Sequence, residues 1–190
     1  MVPHVWTRAE QNEAAMGEHD QTDRHVLRPD HHHTPFTADE IRAGSPLGRT
    51  VRQRIEETGE PVTLRIQQYV AVDDESGTRL VSTIDADGTR HDTRRSSSTW
   101  LELQGHASMP IATTSIDEVA LDSPMGPLDC LRYSAVDGDE IETFWFARTI
   151  PGMPVMTERR VAGELVERVT MLSNGVEPLL EEPEAPSSAG

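Results

Sequence analysis

From Val62 the chain alternates. Val62, Leu64, Ile66, Val70 and Val72 share one face of an extended segment, and Thr63, Arg65, Gln67 and Tyr69 share the other, which is the period-two pattern of a strand. Glu57-Thr58-Gly59-Glu60-Pro61 suits a turn back to a preceding strand around Val51 and Ile55. Further turns fall at Asp73-Asp74-Glu75-Ser76-Gly77 and Asp85-Ala86-Asp87-Gly88. The rhythm returns later. Leu128–Ala135 and Glu140–Ala147 read as two strands joined by Val136-Asp137-Gly138-Asp139, and Val155–Val161 and Leu165–Leu172 as two more joined across Ala162-Gly163-Glu164. One helix interrupts the series: Ser98-Thr99 caps Trp100-Leu101-Glu102-Leu103, with Glu at the third helical position and an end near Gly105 or His106. Turns this short make neighbouring strands antiparallel, and short strands of this number favour a strongly curved sheet. The pattern therefore predicts a mainly β (α+β) fold: a strongly curved antiparallel sheet or half-barrel of about eight strands, with one short covering helix and an N-terminal helical arm.

The two ends break the pattern. Residues 1–46 read as an arm, with a capping box at Thr7 and Glu10 before the helix-friendly run Ala9–Met16. A polar stretch follows, and a second capping box at Thr37 and Glu40 starts a short helix that Gly44 and Pro46 end. Residues 47–174 form the expected curved β domain. Residues 175–190 hold four Glu, no base, and little but Pro, Ser, Ala and Gly around two Leu; that composition predicts a disordered acidic tail.

Composition narrows the function. The chain has 190 residues, enough for one domain with arms. Acids outnumber bases 33 to 17, for a formal charge of -16, which opposes binding to a phosphate backbone. No apolar run reaches the length of a membrane span, and the N-terminus lacks the basic-then-apolar layout of a signal peptide, so a cytoplasmic location is expected. The single cysteine, Cys130, allows no intrachain disulfide and fits a reducing compartment.

Candidate chemistry is sparse. His4, His19, His25, His31, His32 and His33 cluster among acids, a mixture suited to zinc, nickel or copper. Consecutive His on an extended segment point in alternate directions, so His25, His31 and His33 are the candidate metal ligands. A solvated His-rich loop, bracketed by Pro29 and Pro35, is the other reading. Cys130 lies among apolar residues, which suits an inert buried thiol, and Ser96-Ser97-Ser98 has no G-x-S-x-G turn around it. His91 and His106 have no partner legible in the sequence. Arg94-Arg95 and Arg159-Arg160 are basic spots that clamp an anionic ligand or form a solvated sheet edge. In a curved sheet, Tyr69, Trp100, Tyr133 and Trp145 line an apolar ligand cavity or simply fill the core.

The stretch from Ala120 to Leu172 carries a resemblance. A small-residue turn at Gly126-Pro127 enters a strand holding Cys130 and Tyr133, a strand with the aromatic pair Trp145-Phe146 follows, and then come Pro151, Gly152, Pro154 and Val155 before an apolar last strand. This resembles actinobacterial curved-sheet proteins of the half-barrel, lipoprotein-carrier-like type. The resemblance implies the fold more than any activity. The expectation that results is a non-enzymatic binding module without a cofactor, holding a small apolar ligand or a partner segment on the curved sheet. The alternative is a metal-binding protein or small metal-dependent enzyme, with zinc or another transition metal on the N-terminal His cluster. Neither nucleic acid nor a membrane span is expected; a homo-oligomer formed through the arm is a further expectation.

Overall fold

A computed structural model describes residues 23–85 and 88–180. It contains one nine-stranded antiparallel sheet, β1 (Arg49–Glu57), β2 (Thr63–Val72), β3 (Ser76–Ile84), β4 (Arg90–Thr99), β5 (Thr114–Ser123), β6 (Gly126–Asp137), β7 (Glu140–Ala147), β8 (Met156–Val161) and β9 (Glu164–Val176). Two short helices, α1 (Ala38–Ala43) and α2 (Trp100–Gly105), accompany it. The strand order is β4-β3-β2-β1-β9-β8-β7-β6-β5. The chain thus builds outward from β1 to β4, crosses by α2 to the far edge, and returns from β5 to β9, which pairs with β1.

The sheet has nine strands where the sequence suggests about eight. β4 contains no apolar residue, so no periodicity announces it; its backbone is ordered by pairing with β3, as an edge strand allows. Both helices form where their caps predict. In each, the N-cap threonine and the glutamate three positions on bond reciprocally: Thr37 with Glu40, and Thr99 with Glu102. The backbone N–H of Thr37 holds the Glu40 carboxyl below the usual carboxylate range. The helical run expected at Ala9–Met16 lies outside the described residues.

Curvature is visible in what shares a space. β2 and β7 stand four places apart, about 19 Å along a flat sheet. Yet Tyr69 on β2 and Phe144 and Phe146 on β7 line one cavity, so the face they share is concave. The main core lies there: Phe36 and Ile41 from the arm, Trp100 and Met109 from the crossover, and Tyr69, Tyr133 and Phe146 from the sheet. A second cluster, of Val51, Cys130, Ala147, Val155 and Met171 with Trp145 and Met153 against it, gathers where residues 148–155 link β7 to β8.

The C-terminal boundary differs from the sequence reading. Composition starts the acidic tail at residue 175, but β9 includes Gly175 and Val176, and the segment after it meets Gln68, which alternation puts on the face opposite Tyr69. Glu177 pairs with Arg52 and donates its backbone N–H to Gly48 O. The Gln68 side chain, fully buried, donates to Pro178 O and accepts from Leu180 N, as a strand neighbour would. One side-chain amide therefore seats a Pro- and Glu-rich segment that has no apolar period of its own. Residues 181–190 lie outside the described residues.

The bond from Arg52 holds the Glu177 carboxyl below its ordinary value. A depressed carboxylate pKa stabilises the seat above the unfolded-state pKa, and that contribution disappears as pH falls through the folded-state value. Hydrogen-exchange protection of the Leu180 N–H, corrected for intrinsic rates, is therefore expected to fall between about pH 6 and pH 3. In Arg52→Gln the protection should be weaker at neutral pH and the pH dependence should vanish. A pH-independent Leu180 amide in the unaltered chain would refute the role given to the ion pair.

Candidate functional site

The cavity on the concave face is built in layers. Its floor is Tyr69 on β2 and Arg79 on β3, which sit directly opposite each other in the β2–β3 register. Its wall is Phe144 and Phe146, stacked with centroids 6.3 Å apart, and Tyr133 meets Phe146 edge-on at 5.3 Å. The helices form the roof through Ile41 and His106, and the 148–155 link closes one end with Met153. The cavity measures about 160 Å³.

Each layer has an identifiable anchor. α2 is held by Trp100, whose indole Nε1 donates to Asp73 O at 3.0 Å and whose ring lies over Gly77. Only a glycine fits there, since a Cβ on residue 77 would stand 2.5 Å from the Trp100 ring and 2.6 Å from that of Tyr69. Gln104 joins α2 to the arm: its amide donates to Arg24 O and Thr34 Oγ1 and accepts from Ala38 N. The 148–155 link is held by Arg49, buried to 3 % exposure, which donates to Pro151 O, Ser45 Oγ and Asn174 Oδ1. All of these acceptors are neutral, and burial pushes the Arg49 pKa down.

Of the aromatic residues expected at a ligand site, Tyr69 lines the cavity. Trp100 and Tyr133 are buried in the same cluster beside it: Trp100 packs on Tyr69 at 6.0 Å, and the Tyr133 hydroxyl donates to His33 O at 2.8 Å. Burial pushes the Tyr133 pKa up to about 12. Trp145 does not join them. It alternates with Phe144 and Phe146 along β7, so it lies on the opposite side of that strand and packs against the second cluster. Sequence reading missed Arg79, His106 and Met153, because a floor, a roof and a link far apart in the chain meet only when the sheet curves.

The histidines expected as metal ligands work separately. His25 Nδ1 bonds Thr34 O at 2.8 Å, and His31 Nδ1 bonds Ser108 O at 2.7 Å. His33 is exposed, with Nδ1 3.4 Å from Asp23. His32, not among the expected ligands, bonds Thr114 O through Nε2 at 2.9 Å. A carbonyl only accepts, so each ring nitrogen bonded to one carries the proton and offers no lone pair. Among the described residues, no three His, Cys, Asp or Glu side chains gather as a metal-holding group. These histidines instead fasten the arm within itself and to the stretch between α2 and β5.

Ser108 Oγ also lies 3.1 Å from His31 Nδ1, a pairing seen in activated nucleophiles. Here that nitrogen already donates to the Ser108 carbonyl, so it cannot take the hydroxyl proton. The Cys130 thiol is 1 % exposed and its pKa is raised by burial, which keeps it protonated. Among the described residues, no helix is long and apolar enough to cross a membrane.

No protein-family model and no curated protein sequence matches the chain. Solved structures do. The fold is similar to that of MucB. A crystal structure of MucB in complex with MucA(peri) matches 77 % of this chain at 16 % identity with a TM-score of 0.53. A crystal structure of MucB matches 76 % at 11 % identity with a TM-score of 0.50. The matched part is 59 % and 58 % of the MucB chains, so this chain spans about three fifths of their length. At such identities the likeness to MucB is one of fold.

Proposed function

We propose that this chain is a non-enzymatic binding module whose concave face takes an apolar side chain of a partner segment. The cavity between the curved sheet and the two helices carries this reading. It is lined mainly by apolar and aromatic groups, with Arg79 and His106 as its polar members. Its size decides between occupants. About 160 Å³ accommodates a group of roughly benzene size, whereas sites for whole drug-sized ligands run to about 300–1,000 Å³. A single aromatic or branched aliphatic side chain fits that space, and an entire lipid exceeds it. The structural roles of Cys130, Ser108, His25, His31 and His32 support binding over catalysis. The fold likeness to MucB, a protein solved in complex with MucA(peri), supports a protein partner over a small metabolite.

Benzene itself is a sufficient probe. Added at millimolar concentration, it is expected to shift the methyl signals of Ala107, Leu103 and Met153 in a saturable way, because all three border the cavity. Ala107→Trp should fill the space and abolish the response. Shifts scattered over the second cluster, or none at all, would defeat the proposal.

A further inference from the structure

The concave face is basic on its β2–β4 part, whereas on β1, β9 and β7 the same face carries Glu57, Glu167, Glu140 and Glu142. Alternation and register put Arg65, Arg79 and Arg94 on the face of Tyr69: Arg65 lies four residues before Tyr69 on β2, Arg79 stands opposite Tyr69 on β3, and Arg94 stands opposite Val81 on β4, two places from the partner of Arg79. The buried Arg49 on β1 shares this face, with Gly152 near its guanidinium. Most other arginines among the described residues sit within 4 Å of a carboxylate, for example Arg42 with Asp74, Arg132 with Asp117, Arg148 with Glu118 and Arg168 with Glu158. Arg49, Arg65, Arg79 and Arg94 form no such pair among the described residues, in a chain where acids outnumber bases 33 to 17.

Their surroundings point the same way. Arg79 lies over the Tyr69 ring at 5.8 Å, and its Nε is buried with no acceptor. Burial pushes the Arg65 pKa below its ordinary value and the like charge of Arg94, on the same face, lowers it further, while Glu167 and Glu57 act in the opposite direction. A row of like charges on a half-buried surface is unfavourable unless something negative completes it.

We infer that the arginines on the concave face of β2–β4 select a partner segment that is acidic on either side of its apolar anchor. This deepens the binding proposal and rests on it. Arg79 borders the cavity, so a carboxylate next to the anchoring side chain meets Arg79 first. Arg65 lies about four residues along the strands from the level of Arg79, roughly 13 Å away, with Arg94 between. One headgroup cannot reach cations so spread, whereas an extended peptide with several acidic residues can. The net charge of -16 repels such a partner at long range, but that field is screened beyond about 8 Å at physiological salt, within which the arginines act.

The test uses the full chain and two acetylated nine-residue peptides, each with one central Phe, flanked by Glu in one and by Gln in the other. Titration calorimetry is expected to show the Glu peptide binding about tenfold more tightly, the size expected of two half-exposed charge pairs. Arg79→Gln combined with Arg94→Gln should bring the Glu peptide to the level that the Gln peptide shows on the same variant, and Arg94→Gln alone, outside the cavity lining, should weaken the Glu peptide while leaving the Gln peptide unchanged. Arg95→Gln should leave both unchanged, since residue 95 points to the convex face. Decanoate should compete with the Glu peptide only weakly. Equal affinities would overturn the acidic selection and leave the binding module standing. The acidic selection also fails, and the binding module survives, if neither peptide binds while benzene still enters, or if decanoate displaces the Glu peptide at lower concentration than the peptide itself requires. Failure of both peptides and of benzene would remove both proposals. Unchanged near-UV circular dichroism in the double variant guards against a folding artefact, and Arg94→Gln alone, at an exposed edge position, gives a second reading.

Discussion

Trp100→Ala is expected to lower the unfolding free energy by about 3–5 kcal/mol, the usual cost of removing a large core aromatic. Trp100 is 3 % exposed, begins α2, and fills the space between that helix and the bare backbone at Gly77. Its loss also removes the indole bond to Asp73 O, which fixes the β2–β3 turn to the helix. The reciprocal change tests the same contact from the other side. Gly77→Val crowds both the Trp100 and Tyr69 rings and should cost about 1–3 kcal/mol or more by overpacking. In a Trp100→Ala background Gly77→Val should cost clearly less, because the space it needs is then open, so the two changes are non-additive. Urea unfolding of the two single variants and the double variant measures this. Strict additivity, or a Trp100→Ala effect under about 1 kcal/mol, would show that the ring does not hold the helix on the sheet.

Gln104→Leu is expected to cost about 2–4 kcal/mol and to weaken binding as well. Gln104 is 2 % exposed and satisfies Arg24 O, Thr34 Oγ1 and the Ala38 N–H at once. Leucine fills a similar volume but leaves those groups without their partner, and a buried unpaired polar group costs its full desolvation. The arm and α1 are then less firmly joined to α2, so the roof of the cavity loosens. Benzene uptake should weaken in proportion to the population in which the arm has opened, and the His25 and Val26 amides should lose hydrogen-exchange protection before the sheet does. A stable Gln104→Leu chain with unchanged exchange in the arm would mean that the other arm contacts suffice without it.

The sheet's faces show how far the sequence could be read. Alternation along 62–72 announces a strand, and the aliphatic row Leu64 and Ile66 invites assignment to the enclosed side. The structure puts that row on the convex face with Gln68, and turns Arg65, Gln67 and Tyr69 inward. Periodicity separates two faces but does not say which one curves around a ligand; the twist and order of all nine strands decide that. Phe144, Trp145 and Phe146 behave alike, for the spacing sets Trp145 against its neighbours without saying which of them faces the cavity. The arginine row is legible only after pairing, since Arg65, Arg79 and Arg94 come from three strands.

By itself the sequence determined the local elements whose causes are local: the capping boxes at Thr37 and Thr99, the tight hairpins around Gly138 and Gly163, the antiparallel sense of the strands, and a curved mainly β sheet carrying short helices. These follow from backbone preferences and from bonds between residues a few positions apart. The tertiary structure alone decided the rest. It paired β1 with β9, more than a hundred residues apart, ordered the apolar-free β4 against β3, and seated Glu177–Leu180 on Gln68. It spent His25, His31 and His32 on backbone carbonyls and gathered Tyr69, Arg79, His106, Phe144 and Met153 around one space. Each of those outcomes depends on contacts between distant segments, which exist only once the chain entropy of closing long loops has been overcome by burial of the whole sheet.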